Sequence, residues 1–223
     1  MNAIRCILFA VVSSLALTSC SDNKAYETAI CALADVSGTY AKEKGGIVKI
    51  LKAGVLPRMN PGDSAFMVMI NSNSYRQENL LGKMTLDYRP TESQKQKLGF
   101  AAMLDKFAES ADASKYTDIS GGLMLCSDYL KDAKSGKQLI VVFSDMREEL
   151  PPGVTRQFKS DEFAGVDIAA MNVVKLDKDS ANPEVYRKRI DRWEDAVKKA
   201  GAKSWTLLLD ETKFSEFYDS IVK

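Results

Sequence analysis

Three short segments of this chain carry the side chains best suited to chemistry: Asp35-Val36-Ser37-Gly38-Thr39, Thr117-Asp118 and Ser144-Asp145. The first and third each follow an apolar run that reads as a buried strand. The second lies just before a helix, so all three can meet at one edge of a sheet. Together they offer carboxylates and hydroxyls, all hard oxygen donors. Such a set suits a six-coordinate Mg²⁺, which keeps several waters and takes few carboxylates.

The elements that must position these residues alternate along the chain. Nearly continuous apolar runs at Ala29–Ala34, Ala65–Ile70, Leu139–Phe143, Val166–Val174 and Trp205–Leu209 read as parallel strands covered on both faces. Lys83–Tyr88 alternates instead, with Met84, Leu86 and Tyr88 on one face, and reads as an antiparallel edge strand beside Ala65–Ile70. Thr91 with Gln94 forms a capping-box pattern before a helix bearing Phe100, Met103, Leu104 and Phe107 on one face. A second helix opens at Asn182-Pro183, carries Tyr186, Ile190, Trp193, Val197 and Ala200 on its apolar face, and stops at Gly201. Phe214, Phe217, Tyr218 and Ile221 give a short last amphipathic helix. This alternation implies an α/β fold: a doubly wound, mostly parallel sheet with helices on both faces and one antiparallel edge strand. Ligands of such sheets bind beyond the carboxyl ends of the strands, near the switch in strand order, where Asp35 and Asp145 are expected.

The order and chemistry of the three segments resemble the metal-ion-dependent adhesion site of the von Willebrand factor A-type (vWA) domain. That pattern is D-x-S-x-S, a distant Thr, and an Asp ending a later strand. The resemblance covers roughly residues 25–210 and implies a metal set of Asp35, Ser37, Thr39, Thr117 and Asp145. Ser37 and Thr39 would bind the ion directly, Asp35 and Asp145 mainly through water, and Thr117 directly or through water. The ion would be Mg²⁺, or Mn²⁺ or Ca²⁺. Neutral hydroxyl ligands leave it electrophilic toward one more carboxylate, supplied by an Asp or Glu of a protein partner. The family's second Ser is Thr39 here, and Met146 stands where the family usually has Gly after the last Asp. A plainer role also exists, because an Asp, Ser or Thr after a buried strand or before a helix commonly caps a helix. Asp118 reads as such a helix N-terminal charge. Gly121-Gly122 is no phosphate loop, since the Lys and spacing of one are missing. Arg147-Glu148-Glu149 opens a loop through Pro151-Pro152-Gly153 that reads as charged and solvated.

The N-terminus reads as a targeting segment. Arg5 precedes a mostly apolar stretch, Ile7 to Ala16, too short to span a bilayer. Leu17-Thr18-Ser19-Cys20 then resembles the lipobox of bacterial lipoproteins, which implies cleavage before Cys20 and lipidation of that residue. The expected organisation is a signal peptide at 1–19, a tether at 20–24 and one domain at 25–223. The expected place is the bacterial cell envelope, anchored by lipid, with Ser21 favouring the outer membrane of a Gram-negative cell.

Composition narrows the classes further. Removing residues 1–19, which carry Arg5 and no acid, leaves 30 basic and 30 acidic residues, with no basic block to suit nucleic acid. There is no His, so imidazole catalysis and His-ligated metals are excluded. Cys31 and Cys126 remain in an exported compartment. Two buried thiols are the default reading, because strand-to-helix distances usually exceed the reach of a disulfide. The expectation is a binding protein rather than an enzyme. The competing reading is a haloacid-dehalogenase-type phosphatase, whose D-x-D-x-T pattern also follows a first strand. Ser37 stands where that reading needs its second Asp, the general acid. A third reading is a vWA-like scaffold that binds without metal.

Overall fold

The computed structural model describes residues 23–111, 113–171 and 183–222. Cys20, the expected signal segment and the last three residues of the expected Val166–Val174 strand lie outside them. Among the described residues six strands form one sheet: β1 (Thr28–Asp35), β2 (Ser64–Ile70), β3 (Leu80–Thr85), β4 (Lys137–Phe143), β5 (Val166–Met171) and β6 (Ser204–Leu208). Their order is β3-β2-β1-β4-β5-β6, parallel throughout except for the antiparallel β2–β3 edge. The chain winds outward one way from β1 to β3 and then the other way from β4 to β6. The switch in strand order therefore falls between β1 and β4, and Asp35 ends the first of these.

All eight residues of β1 are buried, as a strand covered on both faces requires. Its alternate side chains feed two separate cores. Ile30, Ala32 and Ala34 pack with α1 (Lys44–Ile50), α2 (Pro90–Glu109) and α5 (Glu211–Val222). Ala29, Cys31 and Leu33 pack with α3 (Ile119–Ala133) and α4 (Pro183–Lys199). Gly122 lets α3 approach β1 closely, since a Cβ there would lie 2.6 Å from a Leu33 methyl carbon. No described helix is long and apolar enough to cross a membrane.

Three local expectations need correction. The edge strand is Leu80–Thr85, three residues earlier than its alternation implies. Its first half has no alternation to read, because Gly82 lies where α2's Met103 presses on the sheet. Leu86 still bonds to Gly62 and Asp63, but Tyr88 is 61% exposed and does not share the buried face of Met84 and Leu86. The capping box at Thr91 does not form. Pro90 opens α2 with Arg89 at the cap position, which accepts no side-chain bond, as suits a residue type favoured in a first turn. Finally, Cys31 and Cys126 are not free thiols but a disulfide joining β1 to α3, with Cα atoms 5.7 Å apart. The close approach at Gly122, one turn before Cys126, brings the helix within reach of the strand.

Candidate functional site

Asp35 sits at the end of β1 with no exposed surface. Its Oδ1 accepts from the Ser37 backbone N–H at 2.7 Å and from the Ser37 hydroxyl at 2.5 Å, and its Oδ2 accepts from the Ser144 hydroxyl at 2.7 Å. These bonds clamp the loop after β1 to the loop after β4 across the switch point. No Lys or Arg among the described residues pairs with Asp35. Burial accordingly pushes its carboxyl above the ordinary range, and the nearby Asp145 charge adds to that, while the three hydrogen bonds pull the other way.

Above Asp35 lies a cavity of about 230 Å³ whose lining includes Ser37, Ser114, Thr117, Asp145 and Glu149. Three of the residues expected from sequence, Ser37, Thr117 and Asp145, thus converge on one space, with Asp35 beneath Ser37. Thr39 lies in the 3₁₀ turn Gly38–Glu43 that enters α1, and its side chain is outside the described part of the structure. Backbone pairing fixes the rest. Ser37 bridges to Ser114, and Thr117 exchanges both backbone bonds with Glu149 at 2.8 and 3.0 Å. Lys115 and Arg147 also line the cavity, but Lys115 lies over the Tyr116 ring and Arg147 forms an ion pair with Glu149.

The turn after β4 solves the geometry in its own way. Met146, which replaces the glycine of the resembling pattern, adopts φ +62° while fully buried. Its N–H donates to the Ser144 Oγ at 3.0 Å, and its carbonyl accepts from Trp193 Nε1 at 2.8 Å. Asp145 is held from the other side, accepting from the Arg147 N–H at 2.8 Å. Asp118 caps α3, accepting from the Gly121 N–H at 2.8 Å, and is fully buried against Arg156, whose Nη2 lies 2.6 Å away. The Glu148 carboxylate reaches the Ser120 N–H at 2.7 Å, and burial raises its pKa. The charged 147–149 loop is therefore latched to the site rather than simply solvated.

The donor set suits a hard divalent ion. Ser37 gives its proton to Asp35, which leaves its oxygen lone pairs for a cation, and Asp145 supplies negative charge across the cavity. Among the described residues no group of three His, Cys, Asp or Glu side chains could hold a metal, so any ion here depends on the hydroxyls. Ser114 and Glu149 were not legible as site residues, and Ser144, read as part of the Ser144-Asp145 segment, was not expected to bond to Asp35. Ser144 adjoined Asp145 in sequence, whereas the pairings of Ser114 and Glu149 arise from loop contacts that have no periodic signal.

No protein-family model matches the chain, and no curated protein matches its sequence significantly. Solved structures do match. The manganese-loaded TRAP protein of Plasmodium vivax aligns over 89% of this chain and 74% of its own, at 10% identity and a TM-score of 0.53. An aerotolerance-related membrane protein from Bacteroides fragilis aligns over 88% of this chain and 98% of its own, at 11% identity and TM-score 0.49. A von Willebrand factor type A protein from Catenulispora acidiphila aligns over 88% of this chain and 42% of its own, at 13% identity and TM-score 0.48. The sheet order, the single antiparallel edge and the first of these alignments agree: the chain adopts the von Willebrand factor A-type fold.

Proposed function

We infer that this chain is an envelope lipoprotein whose vWA-like domain grips a protein partner through a divalent cation at the β1–β4 switch. The observation that carries this reading is the convergence of Ser37, Thr117 and Asp145 on one cavity above a buried, cation-free Asp35. Ser37, Thr39 and Thr117 would hold Mg²⁺ or Mn²⁺, with Asp35 and Asp145 balancing its charge through water. The ion supplies an electrophilic position for a partner's Asp or Glu. Of the protein's own residues, Asp35 fixes the Ser37 hydroxyl, and Arg147 pairs with the Glu149 carboxylate that also lines the cavity. The manganese-loaded TRAP neighbour, which shares the fold, supports a divalent ion in this reading.

The reading is non-enzymatic. As a nucleophile Asp35 is poorly placed, because both its oxygens are engaged by serine hydroxyls and it has no exposed surface. Cys20 would carry the lipid, leaving only Ser21 and Asp22 between it and the first described element at Asn23–Ala25. That element feeds the amino end of β1, whereas the candidate site lies at the carboxyl end of that strand. Mass spectrometry of the membrane-extracted protein tests the anchor, with a mature chain beginning at acylated Cys20 expected and an unlipidated start elsewhere contradicting it. Cross-linking to envelope proteins with Mg²⁺ or with chelator tests the grip. Capture that survives chelation would reduce the account to a metal-independent scaffold.

A further inference from the structure

A second cavity, of about 580 Å³, opens between α4 and the 146–158 segment, within the usual size range of ligand sites. Its floor is apolar, built from the buried Met146 and the ring of Trp193, while the exposed Val185 and the cations Lys188, Arg192 and Lys199 stand along the α4 rim. All three cations are exposed. Arg192 and Lys199 have no ion pair within 4 Å among the described residues, and Lys188 reaches Glu184 only at 4.0 Å. The same three cations also line a neighbouring groove, where Asp191 and Asp195 stand beside them without an ion pair within 4 Å among the described residues. Among the described residues the one acid lining the cleft is Glu148, engaged by the Ser120 N–H and attracted by Arg192.

This cleft adjoins the candidate metal site. Arg147 lines both cavities, and the Trp193 indole in the cleft floor holds the carbonyl of Met146, the residue after Asp145. We propose that the cleft receives an acidic segment of the protein partner, with an apolar side chain on the Trp193 floor and carboxylates along the Lys188–Lys199 rim. It rests on the metal reading for its partner, and it makes that partner bidentate. One carboxylate completes the ion, and an adjoining acidic-apolar stretch fills the cleft. A cationic rim over an apolar floor selects such a stretch over a basic or a purely polar one.

The test is a calorimetric titration of an acetylated, amidated pentapeptide alternating glutamate with phenylalanine. The receptor is the full chain in zwitterionic nanodiscs, with Mg²⁺ or with EDTA. The variants are Arg192→Glu with Lys199→Glu, whose folding is checked by thermal melting, and the peptide control replaces glutamate by glutamine. Binding in Mg²⁺ should weaken at least tenfold in the double variant, and the glutamine peptide should be equally weak. In EDTA the wild type should keep a weaker affinity that the double variant lacks. Mg²⁺-dependent binding that ignores the double variant would overturn the cleft and leave the metal reading standing. Binding that needs the rim but not Mg²⁺ would uphold the cleft and remove the metal from partner capture. Absence of peptide binding to the wild type in both conditions would overturn the cleft, while Mn²⁺ titration without peptide would still report on the metal site.

Discussion

Replacing Asp35 by Asn separates the structural duty of this buried carboxyl from the metal-binding duty proposed for it. The amide keeps an oxygen facing the two Ser37 donors, and the Ser144 hydroxyl can rotate to accept from the new NH₂. Metal-free stability should therefore change by less than about 1 kcal/mol. Asp35→Ala is the poorer test, because it strands buried donors at about 1–3 kcal/mol each. Burial raises the folded pKa of Asp35 above its ordinary 3.8. Its contribution to stability is thus fully present below the unfolded value and lost as pH rises through the folded one. Above that window the metal-free wild type bears an ionised, cation-free carboxylate, and Asp35→Asn should gain on it. A cation reverses the balance for the wild type alone. At a Mn²⁺ concentration tenfold above Kd, mass action stabilises it by about 1.4 kcal/mol. A chain of this size gains about 2–4 °C per kcal/mol, so its melting point should rise by about 3–6 °C. Asp35→Asn should show no rise, and the wild-type rise should shrink as acid protonates Asp35. Differential scanning calorimetry across pH, with and without Mn²⁺, reads all of this. An equal Mn²⁺ shift in both proteins would refute the reasoning. So would a metal-free loss above about 3 kcal/mol in Asp35→Asn, since it would mean the ionised carboxylate is structural.

The buried disulfide closes a sequence separation of 95 residues, so replacing both Cys31 and Cys126 by Ala should cost about 2–4 kcal/mol in urea unfolding. Met146→Gly and Met146→Ala both lose the buried thioether. The Gly variant should still be the more stable by about 1 kcal/mol, because only it accepts φ +62° without strain, as chemical denaturation will show. Asp118→Ala should destabilise the fold by about 3–5 kcal/mol in the same assay, because it leaves the Arg156 guanidinium, 16% exposed, without its carboxylate.

The architecture was legible because buried parallel strands leave continuous apolar runs. Five of the six strands lie where those runs are, and Asp35 falls at the carboxyl end of β1 as expected. Leu80-Leu81-Gly82 hid half of β3, since a strand that meets a helix through a glycine needs no alternation. The disulfide was misjudged for a related reason. Sequence gives the elements of Cys31 and Cys126 but not the distance between them, which Gly122 shortens. In the site, Ser37, Thr117 and Asp145 were readable as a spaced pattern of oxygen donors. The loop latches were not. The Thr117–Glu149 bridge, the Glu148–Ser120 bond and the Asp118–Arg156 pair depend on how the 144–158 segment folds back, which no periodicity encodes.

The central claim is that a divalent cation occupies the cavity above Asp35. Anomalous diffraction from crystals grown in Mn²⁺ tests it most directly. The account predicts a manganese peak in the cavity lined by Ser37, Thr117 and Asp145, contacting the Ser37 hydroxyl, and no such peak in Asp35→Asn. A cavity without manganese in the wild type at saturating Mn²⁺, or a peak unchanged in Asp35→Asn, would contradict it.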